Sequence, residues 1–211
     1  MNYFEIINRC LLELNYKAVD IFENLTKSEH IRLKSIINRV NIDIVSSHDW
    51  WFRQRKAEIE LKANTIEQKP DISGMITSLY IDGKKYIYNE DYESFYRKNP
   101  SGSTYSLFNN YLLLPEFKEN KTATVFYSTD MAAISENGID KKLMEFETDR
   151  SIIPEKFVEP LLVYGACMKF KATADNPKFK YWNAEYILAF RNLKSHSMRA
   201  IAEAPEIIIK R

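Results

Sequence analysis

The chain is poor in the residues that build recognisable enzyme sites. It has five glycines in 211 residues, and none is spaced as a phosphate-cradling loop or as the Gly-x-Ser-x-Gly turn that presents a nucleophile. Its three histidines, His30, His48 and His196, share no metal-ligand spacing with one another or with the two cysteines, Cys10 and Cys167. No metal and no cofactor is therefore expected. Both cysteines fall inside apolar helical patterns, which suits small buried residues of a chain made in a reducing compartment. A dominant charge is missing as well. Thirty Lys+Arg face twenty-nine Asp+Glu, a formal net charge of +1, which argues against a general phosphate-binding surface. No apolar run approaches the roughly 18 residues that cross a membrane. The opening Met1-Asn2-Tyr3-Phe4-Glu5 lacks a basic region, so no secretory signal is expected.

Apolar and aromatic residues, by contrast, are abundant, at 45% and 13% of the chain. That is enough for a sizeable core in one ordinary domain, or in one domain carrying a subdomain. The richest stretch is 51–128. Leu79-Tyr80-Ile81 and Tyr86-Ile87-Tyr88 flank Asp82-Gly83, a strong two-residue turn signal. Tyr105 to Phe108 and Tyr111 to Leu114 flank Asn109-Asn110, and Asn tolerates the positive φ such a turn requires. Ala57, Ile59 and Leu61 alternate with charged residues as a half-buried strand, and Thr122–Tyr127 reads as another.

Helical periodicity brackets this region. Phe4, Ile7, Leu11 and Leu14 repeat at three and four residues, and Asn15 is a stop. Thr26 and Glu29 have capping-box spacing ahead of a long helix carrying Leu33, Ile36, Ile37, Val40 and Ile44. Pro154 and Pro160 sit near the start of a third helix, expected to become regular near Glu159. Phe179, Trp182, Tyr186, Phe190 and Leu193 mark a fourth. The expected architecture is α+β. A four-helix bundle forms from the N- and C-terminal helical pairs (1–50 and 153–197), with an antiparallel β-hairpin or sheet subdomain inserted at 51–128. Residues 129–152 read as a linker in which Ile139, Leu143, Met144 and Phe146 could dock, and 198–211 as a C-terminal arm.

Three features admit a functional reading beside a structural one. Trp50-Trp51-Phe52-Arg53 with Arg55-Lys56 mixes rings and cations, which suits stacking on single-stranded nucleic acid. It equally suits bulky anchors at a helix-to-strand corner. Tyr80, Tyr86, Tyr88, Phe95 and Tyr96, together with Tyr92, gather around the first hairpin, either as cross-strand packing or as a contact surface for a neighbouring subunit or tail protein. The arm carries Ile201 and then Ile207-Ile208-Ile209 before Lys210-Arg211. Pro205 stops a helix, leaving an extended apolar segment to be covered by the chain's own sheet or by a partner.

The order of these motifs resembles the head-to-tail adaptor proteins of short-tailed bacteriophages, the portal-docking ring of the neck, including those of crAss-like phages. The residues that carry it begin with Tyr3-Phe4, Ile36-Ile37-Asn38 and Asp49-Trp50-Trp51-Phe52. The hairpin Leu107 to Pro115 and Ala123-Thr124-Val125-Phe126-Tyr127 follow. Ile153-Pro154-Glu155-Lys156-Phe157, Leu161 to Ala166, Asp175, Trp182 and Tyr186 complete the series. The resemblance spans residues 3–197. It implies a structural virion protein, not an enzyme. Such a protein assembles in the host cytoplasm into a ring, usually of twelve copies, that joins the portal to the next tail or neck protein and seals the DNA exit channel. It also implies that DNA passes the lumen without sequence-specific contact and that no membrane is involved. Ile201, Ile207, Ile208, Ile209, Lys210 and Arg211 are then the candidate portal-binding residues. Tyr80, Tyr86, Tyr88, Phe95 and Tyr96 are the candidate contacts to the tail or a neighbouring copy. The alternatives are a virion-associated cell-wall hydrolase and a nucleic-acid-binding module.

Overall fold

The computed structural model describes residues 1–98, 102–171 and 177–202. In chain order the first elements are α1 (Tyr3–Glu13), α2 (Ser28–Ser46), a 3-10 turn at Trp51–Arg53, β1 (Gln54–Leu61), β2 (Glu67–Gln68), β3 (Gly74–Ile81) and β4 (Lys84–Tyr88). Next come α3 (Glu93–Lys98), β5 (Thr104–Phe108), β6 (Tyr111–Leu113), β7 (Lys121–Thr129), β8 (Ala133–Ile134), β9 (Asp140–Lys141) and β10 (Arg150–Ser151). The chain closes through α4 (Glu155–Val158), a π-helical turn at Glu159–Val163, α5 (Tyr164–Phe170) and α6 (Pro177–Ala202). Two compact units result. One is Gln54–Asp130. The other is Met1–Arg53 with the described residues of Met131–Arg211.

The expected four-helix bundle with a small inserted hairpin subdomain is not what forms. The insertion is a seven-stranded mixed sheet, ordered β1-β7-β3-β4-β5-β6-β2. Both predicted turns are present, with φ of 52° and 74° at Asp82 and Gly83 and of 48° and 65° at Asn109 and Asn110. Two adjacent positive φ values match the right-handed twist of paired strands. What periodicity could not supply is the lateral pairing. β7 lies between β1 and β3, antiparallel to both, and the short β4–β5 pairing is parallel. The sheet curls, because Gln68 of its last strand bonds to Lys62 just past its first strand. Leu61, Leu79, Ile81, Leu112, Ala123 and Val125 fill its concave side as a separate core.

The helical unit also departs from a plain bundle. Residues 131–153 fold into it as a three-stranded sheet, β10-β8-β9, with Ala132, Ala133, Met144 and Ile153 buried. The charge run that read as a solvated linker hides this docking, which is polar. Asn38 of α2 takes the Met144 N–H on Oδ1 at 2.9 Å and gives Nδ2 to the Met144 carbonyl at 2.9 Å. Asn41, one turn on and fully buried, donates Nδ2 to the Ala132 carbonyl at 2.7 Å. Tyr3 N–H donates to the Asp149 carbonyl at 2.7 Å, tying α1 to the same segment. Of the four apolar residues that could dock, only Met144 is buried.

Local signals explain the helix ends. The capping box expected at Thr26 and Glu29 does not form. Lys27 is the N-cap of α2 and makes no side-chain cap bond. A capping box closes α1 instead, with Asn2 Oδ1 accepting from Glu5 N–H and Glu5 Oε2 accepting from Asn2 N–H, both at 2.8 Å. Asn15, with φ of 63°, stops α1 as expected. The third helix begins at Glu155, four residues before the expected Glu159. Pro160 lacks an N–H and its ring crowds the preceding turn, so an interior proline needs a wider turn. The π turn supplies it, with Tyr164 N–H reaching Glu159 O. α6 carries helical backbone through Ala202, past the expected end at 197. Residues 99–101 and 172–176 lie outside the described residues.

Candidate interaction surface

Alternation along β3 and β4 sorts the tyrosines of the first hairpin. Leu79 pairs with Tyr86 and is fully buried, so Tyr86 turns toward the sheet core and packs against it. Burial, with Asp82 nearby, lifts its phenol above the ordinary value against a smaller opposing pull from Lys121. Tyr80 pairs with Lys85 on the opposite face, where its ring meets Phe126 edge-on at 6.0 Å. The two tyrosines therefore cannot belong to one surface.

Tyr88 and Tyr96 are the members left exposed, each at 49%. Tyr88 leans on Tyr105 of β5 at 5.5 Å. Tyr92 and Tyr96, four residues apart and so on one side of the α3 turn, bracket Phe108. Tyr92 stacks on it at 4.5 Å and Tyr96 meets it at 6.5 Å. Tyr96 Oη donates to Glu67 Oε1 at 2.8 Å, which fixes the ring. Phe95 points the other way and is fully buried, so it belongs to the core and not to the expected contact surface. A side chain with no exposed surface meets a partner only if α3 lifts away.

The structure adds residues to this surface that the sequence did not single out. Ile87, 67% exposed, lies between Tyr86 and Tyr88 on the solvent side of β4. Leu107 and Tyr111 are also exposed, on the hairpin whose Phe108 holds the two rings of α3. Alternation around Asp82-Gly83 was the available signal for Ile87: if Tyr86 faces in, its neighbour faces out. Ile87, Tyr111 and the two α3 rings on Phe108 share one face, while Tyr88 and Leu107, two residues on from Tyr86 and Tyr105, alternate to the other.

The aromatic-basic corner is mostly structural. Trp50 is fully buried, donates Nε1 to the Ile44 carbonyl at 2.7 Å and stacks on Phe52 at 5.8 Å. Arg53 Nη1 reaches the His48 carbonyl at 3.3 Å, where a cation suits the C-terminal end of α2. The histidines sit apart. His30 is buried on α2, His48 touches Trp50 at 4.9 Å, and His196 Nε2 lies 2.8 Å from Lys156 Nζ. Cys10 and Cys167 are buried free thiols that contact the Val163 and Cys10 carbonyls, each at 3.8 Å. Among the described residues no group of three His, Cys, Asp or Glu could hold a metal ion, and no helix is long and apolar enough to cross a membrane.

Among the described residues of the helical unit, α2, α5 and α6 line a largely apolar cavity of about 420 Å³. Gly165, Val40, Met168, Phe179 and Tyr186 line it, and Lys169 pairs with Asp43 at 2.6 Å in its wall. Lys169 and Asp43, the charged residues among the described lining, pair with each other, which leaves a largely apolar seat.

Of the arm residues, Ile201 lies in the helical backbone of α6, and its side chain is not among those described. Ile207, Ile208, Ile209, Lys210 and Arg211 lie outside the described residues. No protein-family model matches the chain, and no curated protein is similar to it in sequence.

Proposed function

We propose that this chain is a structural assembly protein, the adaptor ring between portal and tail of a short-tailed phage. The observation that carries this reading is the exposed apolar surface of β4, α3 and the β5–β6 hairpin. Ile87, Tyr92, Tyr96 and Tyr111 are exposed on one face of it, around Phe108. Aromatic residues held rigid by stacking are suited to protein–protein contact, since little side-chain freedom is lost on docking. The motif order along residues 3–197 supports the same reading. In it the chain assembles as a homo-oligomer of about twelve copies, with the portal on one side, the next neck or tail protein on the other, and DNA passing through the lumen. Ring neighbours meet through heterologous contacts, which close only at the right angle, so a template favours the ring over the free chain.

The test is to mix the purified chain with portal rings and image the product. The free chain should size mainly as a monomer, and a second ring should appear on the portal. A chain that stays monomeric beside portal, that degrades purified peptidoglycan, or that binds DNA with a steep salt dependence would overturn the reading.

A further inference from the structure

The seven-stranded sheet ends at β1, and the far side of that strand pairs with no strand among the described residues. Its eight residues make a long edge, of the kind that folded proteins cover or blunt. The bonds at its end show which groups point outward. Lys62 gives its N–H to Gln68 Oε1 at 2.8 Å and takes Gln68 Nε2 on its carbonyl at 2.9 Å. Ala63, one residue on, turns its N–H to Asn120 beside β7 at 2.9 Å. Outward and inward groups alternate along an antiparallel strand. Lys56, Glu58 and Glu60 therefore present their N–H and C=O groups away from β7, and no backbone bond engages these six groups among the described residues.

We propose that residues 206–211 of a second copy add to this edge as a parallel strand, with Ile208 opposite Glu58. The occupant is chosen by its sequence. Three consecutive β-branched residues favour an extended strand. In the parallel register, Glu206 falls beside Lys56 and Lys210 beside Glu60, so both flanks pair opposite charges. Ile207 and Ile209 fall beside Ala57 and Ile59, the half-buried residues on the core side of β1. The backbone also fits. The bonds would use the N–H groups of Ile207, Ile209 and Arg211, and the carbonyls of Pro205, Ile207 and Ile209. Pro205 gives only its carbonyl, so its missing N–H costs nothing there. The antiparallel alternative about the same centre sets Glu206 against Glu60 and Lys210 against Lys56, two like-charge pairs. Lys56 lies 3.8 Å from Glu58 in the free chain, an exposed pair that exchanges partners easily.

Donation from a second copy rests on the ring reading, since it supplies the heterologous contact a ring needs. It also reassigns Ile207 to Arg211 from the portal to the neighbouring subunit.

The test uses the full chain with Glu58→Cys and Ile208→Cys. Cys10 and Cys167 are buried and stay out of the reaction. Isotope-labelled and unlabelled chains are mixed in concentrated solution, oxidised, and read by mass spectrometry. The expected product joins the two introduced cysteines between a labelled and an unlabelled chain, in clear excess over the off-register pair Lys56→Cys with Ile208→Cys. Adding Lys56→Glu should abolish the excess, and adding Glu206→Lys to that should restore it. No excess over the off-register pair would overturn the proposal. So would a bond formed only within one chain, or a link that Lys56→Glu strengthens, which is the antiparallel outcome. Failure of the ring reading is seen separately, as portal without a second ring, and leaves the cross-linking result standing.

Discussion

Ser151 Oγ donates a 2.6 Å hydrogen bond to Asn41 Oδ1 across 110 positions of sequence, inside the core of the helical unit. Ser151 Oγ in turn accepts from Ile153 N–H at 3.0 Å, while Asn41 Nδ2 holds the Ala132 carbonyl. One buried amide thus fixes both ends of the 131–153 segment on α2. Asn41→Ala leaves the Ser151 hydroxyl without its acceptor and the Ala132 carbonyl with the Ile152 N–H as its remaining donor, and should cost about 1–3 kcal/mol. Ser151→Ala should cost less, and the double variant should lose less than the sum, because both changes break one network. Urea unfolding of the three variants measures this. Strict additivity would show that the two side chains act independently.

Asp149 should give the protein an acid-sensitive clamp. Its carboxylate is 2% exposed and accepts from Lys141 Nζ at 2.7 Å and from the N–H groups of Glu145 and Phe146 at 2.7 and 3.0 Å. Burial alone would raise its pKa. The Glu145 N–H, the Lys141 ammonium and the Phe146 N–H outweigh it, leaving the carboxyl below the ordinary 3.8. A depressed folded value stabilises the fold in full above 3.8. That stabilisation drains as pH falls below 3.8 and is gone once pH passes the folded value. Asp149→Asn keeps the shape and removes this titration. The variant should melt lower than the parent at neutral pH, and the gap should close in acid. A gap that holds constant down to low pH would count against the clamp.

How much of this was legible beforehand divides by range. Signals of two to five residues were read correctly where chemistry forces them, as at Asn15, Asp82-Gly83 and Asn109-Asn110, because few residues accept positive φ. The capping box was placed at Thr26 instead of Asn2, since the spacing recurs by chance and only the adjoining turn decides between them. The mixed sheet was not legible. Alternation shows which face of β7 is apolar but not that β1 and β3 flank it. The docking of 131–153 was hidden for a different reason. Asn38, Asn41, Asp149 and Ser151 carry it, and polar residues in sequence look like solvent-facing ones. Exposure was half legible: Tyr88 and Tyr96 are exposed, Phe95 is buried, and Ile87 stands exposed between two tyrosines.

Trp182 joins α6 to α1. It is fully buried and donates Nε1 to Glu13 Oε2 at 3.0 Å. Trp182→Ala removes a large core side chain and should cost about 3–5 kcal/mol. Trp182→Phe keeps most of the volume but leaves Glu13 without that donor, so it should fall between the alanine variant and the parent. Chemical denaturation gives the ranking, and an alanine variant as stable as the parent would contradict the packing described.

Gly74 opens β3 with φ of 144°, and a Cβ there would come within 2.1 Å of the Ser128 carbonyl oxygen. That oxygen belongs to β7 backbone and cannot swing aside as a side chain would. Gly74→Ala should therefore combine backbone strain with a shifted ladder and destabilise by at least about 1–3 kcal/mol. Gly83 has open space around its Cβ position, so Gly83→Ala meets only the conformational penalty of its turn, at φ of 74°. Thermal melts of the two variants should separate the effects, with Gly74→Ala the lower.

Ile87 supplies the sharpest test of the exposed surface. At 67% exposed it contributes little to folding, so Ile87→Glu should shift stability by no more than about 0.5 kcal/mol. The same change puts a carboxylate on the face that exposes Tyr92, Tyr96 and Tyr111 and would desolvate a charge on docking. Ring formation on portal should drop sharply while the melting curve stays put. Lys85→Glu is the control, two positions away on the same strand and also exposed, but itself already charged. If Lys85→Glu impairs assembly as much as Ile87→Glu, bulk charge governs the contact. If neither does, partners do not meet the chain through β4, α3 and the β5–β6 hairpin, and the surface has another purpose.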